Sequence, residues 1–327
     1  MIAPAHRHRP LRALAALALA GATLALPTGP ASGDEVPTLV GGEALGRGIF
    51  ATYSDQDTVI DGGTVAAPDF SSPLARASLD LTGLGSGLAS LGYSPYNDGA
   101  GMINAFAGTS LPVGSFSEAS RAKVTGRPPQ EQQAAAPGPP GSGAWARLSE
   151  GPTAEAAALA LAFATPAGRP LAVRIGDVRS TVRHTGSTVG STVSVVLRAV
   201  TIGELLTIET ITLTASATAD GAEGRAEAAS LVEGVAVGGR PVRLTPQGLE
   251  PVGADAPDLS GLTTTGIEIL SAGETRATPG GTQSDAWATG PSVRFRTADG
   301  RTLTLILGEA LASSALVPPA DPPHDGG

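Results

Sequence analysis

The feature that most constrains this chain is a period-two alternation of side chains in its second half. Leu159, Leu161 and Phe163 alternate with alanines, and residues 177–202 are dense in Thr, Val and Ser. A period of two places alternate side chains on opposite faces of a β-strand, where β-branched residues pack well. A helix is a competing prediction mainly for the alanine-rich residues 154–162, and there the alternation favours a strand.

The strand-like runs contain a weak internal repeat. One copy runs from Ile175 to Gly203 and the other from Ile208 to Gly238, and each copy reads strand, turn, strand. Two copies favour stacked hairpins, although they are too few to define a solenoid. The apolar phase slips between Ile208 and Ile211, which either a bulge or burial on both faces would explain.

A two-residue loop at residues 238–239 gives a consistent hairpin register. It pairs Val237 with Arg240 and Val235 with Val242, so the two valines share a face. We therefore predict a hairpin at this pair of glycines.

A three-residue loop at residues 298–300 is predicted for the last hairpin. It pairs Phe295 with Leu303 and Val293 with Leu305. A two-residue loop would turn these leucines to the wrong face, because a slip of one residue flips every side chain.

The chain divides into regions of different composition. Gly and Ser punctuate a region that holds seven of the eleven aromatic residues, and Gly disfavours helix there. A segment without large apolar residues follows and is predicted to be a mobile linker or insertion. The predicted regions are a signal peptide (1–33), a Gly/aromatic-rich β region (34–126), the Pro/Gln/Ala/Gly-rich segment (127–144), a β hairpin-repeat region (145–316) and a disordered Pro-rich tail (317–327).

These patterns predict an all-β fold of short strands and hairpins. Frequent turn signals favour an antiparallel sandwich, a prism or an irregular barrel. Whether residues 34–126 and 145–316 form one domain or two stays open, because a long surface insertion adds little closure entropy.

The first 33 residues have the layout of a secretory signal. A basic start precedes the apolar run 13–26, and Ala31, Ser32 and Gly33 provide small residues before Asp34. The run is short for a membrane span. We expect cleavage before Asp34, export by the general secretory route, and no transmembrane anchor in the mature protein.

Composition narrows the chemistry further. The chain has no Cys and a formal net charge of −9. This excludes disulfides and thiolate sites, and it argues against nucleic acid, which needs clustered cations.

Several segments resemble a group of secreted actinobacterial proteins of unknown function, some of which are called choice-of-anchor proteins. The resemblance lies in the Ile-Gly-Asp-Val-Arg-Ser strand at 175–180 and in residues 229–244, 247–249, 266–270 and 303–308. It implies secretion and an all-β fold, and it implies no catalytic residue. No C-terminal anchor is visible, so we expect release or non-covalent retention at the surface.

His184 is the one histidine outside the signal and the tail. A hydrolase would need it as a base beside an activated serine and a carboxylate, for which Ser180, Ser187 and Asp177 are near in sequence. No Gly-x-Ser-x-Gly motif is present, so we favour an exposed histidine close to a turn.

Asp55, Asp57 and Asp61 are the best candidates for a metal site. Calcium prefers oxygen ligands from such loops. The spacing does not match a helix–loop–helix calcium site, and we favour a solvated loop.

Aromatic residues offer the candidates for sugar binding. The loop 93–98 carries Tyr93 and Tyr96, and the two tryptophans are Trp145 and Trp287. We favour packing or edge roles for all four. A pair of carboxylates for glycoside hydrolysis stays open, because the fold and not the spacing sets such a pair.

The glycine-rich segments 41–46 and 83–87 superficially resemble phosphate loops. Neither segment opens a helix or is followed by a lysine, so we predict turn glycines.

The sequence therefore predicts no enzyme, no catalytic or metal-binding residue and no cofactor. We expect an extracellular, non-catalytic β protein with a structural or interaction role. The alternative is a cell-envelope glycan-binding module or carbohydrate-active enzyme. A cell-wall glycan and a protein partner both stay open, as does the oligomeric state.

Overall fold

The computed structural model is built from β-strands in two antiparallel sheets. It describes residues 39–60, 63–80, 84–91, 121–135, 140–164, 171–203, 205–245, 248–253, 257, 259, 262, 266–296 and 302–317. The predicted signal 1–33 and the tail beyond Val317 lie outside these residues. The described residues form one compact unit.

Nineteen strands are defined within the described residues. The first ten are β1 (Leu39–Ile60), β2 (Gly63–Leu79), β3 (Gly85–Ser90), β4 (Arg121–Gly126), β5 (Gln130–Ala135), β6 (Gly143–Ser149), β7 (Thr153–Ala164), β8 (Leu171–Thr185), β9 (Thr188–Ile202) and β10 (Leu206–Ala219). The remaining nine are β11 (Gly224–Val237), β12 (Arg240–Thr245), β13 (Gly248–Pro251), β14 (Ile267–Ser271), β15 (Thr275–Thr278), β16 (Gln283–Thr289), β17 (Ser292–Arg296), β18 (Thr302–Ile306) and β19 (Glu309–Val317).

One sheet is a nine-stranded meander in which every neighbour in space is a neighbour in sequence. Its order is β5 to β13 without a crossover. The hairpins predicted at 175–203 and 208–238 are β8–β9 and β10–β11, and they lie side by side through the β9–β10 pairing. Strand β7 includes residues 154–162 and confirms that they form a strand and not a helix.

The other sheet has ten strands and joins distant parts of the chain. Its order is β14-β17-β18-β1-β19-β16-β15, with β2, β3 and β4 extending from β1. β18 and β19 pair with successive halves of β1, from Ser54 opposite Thr302 to Leu39 opposite Val317. This sheet therefore depends on contacts that are far apart in sequence.

The two sheets face each other, which confirms the all-β prediction and selects the sandwich among the predicted architectures. Neither sheet closes into a barrel within the described strands. Most of the strands are short, as predicted, but some are long, and β8 and β9 each run for 15 residues.

Both predicted hairpin registers are confirmed. Val237 pairs with Arg240 across the loop at 238–239. In β17–β18, Phe295 pairs with Leu303 and Val293 with Leu305.

Part of the segment predicted to be a mobile linker is a strand. Residues 130–135 form β5, which pairs with β6 along its whole length. The side chain of Gln132 accepts a 2.7 Å hydrogen bond from the backbone N–H of Lys123 on β4. The segment lacks large apolar side chains, and backbone pairing and amide side chains order it instead.

The inner face of the ten-stranded sheet is made mainly of very small residues. They include Gly42, Ala44, Gly46, Ala75, Ala77, Gly87, Ala89, Ala122, Ser284, Ala286, Ala288, Ala310, Ala312 and Ser314. In the centre of the molecule they meet branched aliphatic side chains of the opposite sheet, such as Val178, Val193 and Leu213. Small residues on one face let the larger side chains of the other reach close to the backbone.

The prediction of turn glycines is wrong for the two glycine-rich segments where they are described. Gly42 and Gly46 lie within β1, and Gly85 and Gly87 lie within β3. A methyl group on Gly42 would stand 2.6 Å from Val182 Cγ1, and one on Gly85 would stand 2.7 Å from Leu148 Cδ2. These glycines make room for the opposite sheet.

Buried serines join the two sheets directly. Ser180 Oγ on β8 donates to the carbonyl of Ala75 on β2 at 2.9 Å. Ser191 Oγ on β9 donates to the carbonyl of Ser313 at 2.6 Å, and Ser314 Oγ on β19 donates to the carbonyl of Ala217 at 2.9 Å. A serine side chain is short, so these bonds require backbones closer than the usual separation of about 10 Å between stacked sheets.

Gly46→Ala tests this close packing. The added methyl would overlap Val178 Cγ1 and stand 3.0 Å from Val193 Cγ1, both on buried, stiff side chains. We expect the free energy of unfolding in urea to fall by about 1–3 kcal/mol.

Gly190→Ala is the matched control, because a methyl there would meet its nearest neighbour at an ordinary 3.7 Å. Its free energy of unfolding is expected to stay the same or rise by up to about 1 kcal/mol. Equal losses in the two variants would contradict the packing argument.

Candidate functional site

A transverse irregularity crosses the nine-stranded sheet and forms the candidate site. We call it the crease and define it by one residue on each of five adjacent strands, namely Ala162, Arg174, Ala199, Glu209 and Gly234. All five are exposed. Each is next to a second outward-facing residue, so two successive side chains face away from the sandwich on every strand.

The crease explains the phase slip predicted in β10. Ile208 and Ile211 are both buried, while Glu209 and Thr210 between them face outwards. Strand β9 does the same, with Leu197 and Val200 buried on either side of the outward pair. Because neighbouring strands make the same irregularity at the same level, pairing resumes beyond it in the same register.

Three crease residues have left-handed backbones. Ala162 has a φ of 48°, Ala199 a φ of 51° and Gly234 a φ of 64°. They lie on β7, β9 and β11, which run in one direction, while Arg174 and Glu209 occupy the intervening strands. Such a φ costs an alanine about 1–2 kcal/mol, so the fold sustains local strain at this row.

An open cavity of about 420 Å³ lies along the crease. Its lining residues are Arg174, Ile175, Arg198, Ala199, Val200, Thr201, Thr207, Ile208 and Glu209. Ile175 gives it apolar surface, whereas the side chains of Val200 and Ile208 are buried in the core, and two guanidinium groups and one carboxylate give it charge. Its volume is in the range of small-molecule sites.

Glu209 is separated from the arginines by the shape of the crease. A methyl group at Gly234 would overlap Cγ, Cδ and Oε2 of Glu209, so this side chain lies across the bare backbone of β11. Arg174 and Arg198 are on β8 and β9, on the other side of β10. No carboxylate within the described residues forms an ion pair with either arginine.

Two other arginines on the same face, Arg147 and Arg179, are paired with carboxylates. Arg147 Nε donates to Glu155 Oε2 at 2.9 Å, and this hydrogen bond together with the charge of Glu155 raises the pKa of Arg147. Arg179 binds both carboxylate oxygens of Asp177, which raises the pKa of Arg179 for the same reasons. These guanidinium groups are therefore already engaged.

The turn between β10 and β11 is held by a carboxylate. Asp220 Oδ1 accepts hydrogen bonds from the backbone N–H groups of Glu223 at 2.6 Å and Ala222 at 2.9 Å. These bonds lower the pKa of Asp220. The ionised carboxylate thus favours the folded turn, and its contribution is lost as the pH falls through the lowered pKa.

The residues that a hydrolase would need are not brought together. Ser180 is buried and donates its hydroxyl across to Ala75, whereas Asp177 binds Arg179 on the outer face. Ser187 is in the exposed turn after β8, and His184 is close to that turn with its backbone N–H bonded to the carbonyl of Pro152. His184 is therefore close to a turn, as the sequence indicated, but it is partly buried and not fully exposed.

The tryptophans lie in different surroundings. Trp145 on β6 is 36% exposed, and the guanidinium carbon of Arg147 stands 5.7 Å from its ring centroid. Trp287 on β16 is partly buried and donates from Nε1 to Glu309 Oε1 at 3.3 Å.

Other predicted candidates are only partly covered by the structure. Asp55 and Asp57 belong to β1, but their side chains and Asp61 lie outside the described residues, as do Tyr93 and Tyr96. Among the described side chains, no group of three His, Asp or Glu residues could hold a metal ion. No described helix is long and apolar enough to cross a bilayer.

Sequence reasoning missed the crease as a site although its signal was present. The slip in β10 also occurs in β8, where Val173 and Gly176 are buried around an outward pair. Aligning the slips of β8, β9 and β10 by their hairpin turns would have placed Arg174 and Glu209 in one row and Arg198 in the row beside it.

The chain was compared with known proteins. No model of a known protein family matches it, and no curated protein matches it in sequence.

Ala199→Gly tests the strain in the crease. Glycine adopts a positive φ without penalty but loses about 0.5–1 kcal/mol through its greater freedom in the unfolded chain. We expect the free energy of unfolding in urea to stay the same or rise by up to about 1 kcal/mol.

Ala229→Gly provides the control on β11, where the residue is exposed and its backbone is not left-handed. There the free energy of unfolding is expected to fall by about 0.5–1 kcal/mol. If both variants lost the same stability, Ala199 would not be strained.

Proposed function

We propose that this protein is secreted by the general route and has a non-catalytic structural or interaction role outside the cell or at its surface. The observation that carries the proposal is the ordered outer face of the nine-stranded sheet. Strands β7 to β11 have 12–15 residues each and pair without a crossover. The signal-like residues 1–33 support export.

The size of this face supports an interaction. Five strands about 4.8 Å apart, each about 40 Å long, give an area on the order of 800 Å². One side of a standard protein–protein interface buries about the same area. A partner could therefore bind across the strands without any change in the sandwich.

The chemistry of the face also suits recognition. In register across the sheet lie Arg179, Ser194 and Thr214, and the next outward row contains Thr181, Thr192 and Ser216. Hydroxyl groups both donate and accept hydrogen bonds. Charged side chains such as Arg179 and Glu227 are exposed on this face, while the inner face is occupied by aliphatic side chains and bonded serines.

A cell-envelope glycan-binding module or carbohydrate-active enzyme is the second candidate. The cavity in the crease favours binding, because it combines apolar surface with guanidinium, carboxylate and hydroxyl groups. Of the residues that line it, only Glu209 is acidic, so this cavity does not offer the two facing carboxylates of a typical glycosidase.

Co-sedimentation of the purified protein with insoluble cell-wall material tests the proposed function. We expect the folded protein to sediment with the wall, and to remain in the supernatant when the wall material is omitted. A folded protein that also remains in the supernatant would contradict a role at the wall.

Two treatments identify the type of partner. Release by soluble wall polysaccharide would assign the binding to a glycan, whereas loss of binding after protease treatment of the wall would assign it to a protein. Either result supports an interaction role.

A further inference from the structure

Arg174 and Arg198, the two arginines that line the cavity along the crease, differ from the five described arginines that form ion pairs. Arg47, Arg76, Arg147, Arg179 and Arg294 each form an ion pair with a carboxylate. Arg174 and Arg198 are exposed, line one cavity and have no such pair within the described residues. The chain has a formal net charge of −9, so two unpaired guanidinium groups at one cavity are a local departure from its overall charge.

Adjacent strands bring these arginines together. Arg198 pairs in the β8–β9 ladder with Ile175, the residue after Arg174. Both side chains therefore leave the same face from neighbouring positions. Guanidinium groups arranged in this way suit carboxylate or phosphate oxygens, which they bind through paired charge-assisted hydrogen bonds.

The rest of the cavity suits a hydroxylated ligand. Gly234 has no side chain, so the side chain of Glu209 has room to lie over β11. The carboxylate oxygens of Glu209 are therefore acceptors on the side of the cavity away from the arginines. Thr201 and Thr207 pair across β9 and β10 and add hydroxyl groups. A purely inorganic anion would leave these groups and the apolar surface of Ile175 unused.

Backbone strain gives independent support. Ala162 and Ala199 are the described non-glycine residues with positive φ, and both lie in the crease. Strained backbone concentrates at binding and catalytic sites. The fold thus sustains an energetic cost where the cavity forms.

We infer that the crease binds an anionic sugar unit, with its carboxylate or phosphate between Arg174 and Arg198 and its hydroxyl groups donating to Glu209. The inference rests on the proposed interaction role and specifies its ligand. It assigns the site to the outer face of the sandwich, where a terminal or internal unit of a longer acidic glycan has access.

Isothermal titration calorimetry of the full chain tests the inference with four probes: D-glucuronate, D-glucose 6-phosphate, methyl D-glucoside and inorganic phosphate. We expect at least one anionic sugar to bind, and the neutral glucoside and inorganic phosphate to bind at least about tenfold more weakly. The two anionic sugars distinguish a carboxylate from a phosphate ligand.

Three variants assign the binding to the crease. Arg174→Gln and Arg198→Gln should each weaken anionic sugar binding by about tenfold or more, because each removes a charged donor. Glu209→Ala should weaken sugar binding but leave phosphate binding unchanged or stronger, because it removes both a hydroxyl acceptor and a negative charge. Arg183→Gln is the matched control, since Arg183 is an exposed arginine of β8 away from the cavity.

The inference is overturned if Arg174→Gln and Arg198→Gln bind the sugars like Arg183→Gln, or if no anionic sugar binds more tightly than inorganic phosphate. Wall co-sedimentation of the same variants separates this failure from failure of the proposed function. Unchanged sedimentation without sugar binding would refute only the inference, whereas no sedimentation of the unsubstituted protein would refute the proposed function.

Discussion

The close approach of the two sheets is the constraint on which the rest of the structure depends. Glycine and alanine line the inner face of β1 and β2, and branched side chains such as Val178 and Val182 fill the space that they leave. Ser180 and Ser314 then reach carbonyl groups of the opposite sheet. Larger side chains at these positions would separate the sheets and leave the serine hydroxyls without their partners, at a cost of about 1–3 kcal/mol each.

This packing leaves the outer faces of the sheets as the place for charged side chains. Because the interior is occupied by short side chains and close backbones, the charged residues described on β8 and β9 stand outside. The crease is the place where this order is interrupted, since two successive side chains per strand face outwards there. Nearby in the ten-stranded sheet, successive residues such as Leu307 and Gly308 are both buried, and Gly308 packs on Leu213.

The sequence was sufficient for the local structure of the second half of the chain. Period-two alternation predicted β7, and the hairpin pairing Phe295 with Leu303 followed from requiring apolar residues to share a face. The sequence did not distinguish a glycine that lies in a strand and packs against Val178 from a glycine in a turn, because both occur in the same local sequence pattern. The pairing of β1 with β19 could not be predicted from the sequence either, since these strands are far apart in the chain and meet only when the whole sheet forms.

The site was less predictable than the fold for a physical reason. Arg174, Arg198 and Glu209 are ordinary exposed residues in their own strands, and only the hairpin registers bring them to adjacent rows beside one cavity. The phase slip after Ile208 indicated the irregularity in β10, but it did not indicate that the neighbouring strands have the same irregularity. The amide-rich residues 130–135 show the same limit, because the strand they form depends on pairing with β6 and on Gln132 bonding to Lys123.

The most direct test of the close sheet packing is NMR observation of the serine hydroxyl protons. For Ser180 and Ser314 the structure predicts protons that exchange slowly with water and show nuclear Overhauser effects to protons beside the carbonyls of Ala75 and Ala217 on the opposite sheet. Rapid exchange with water and no cross-sheet effect would show that the sheets are further apart and would contradict the account.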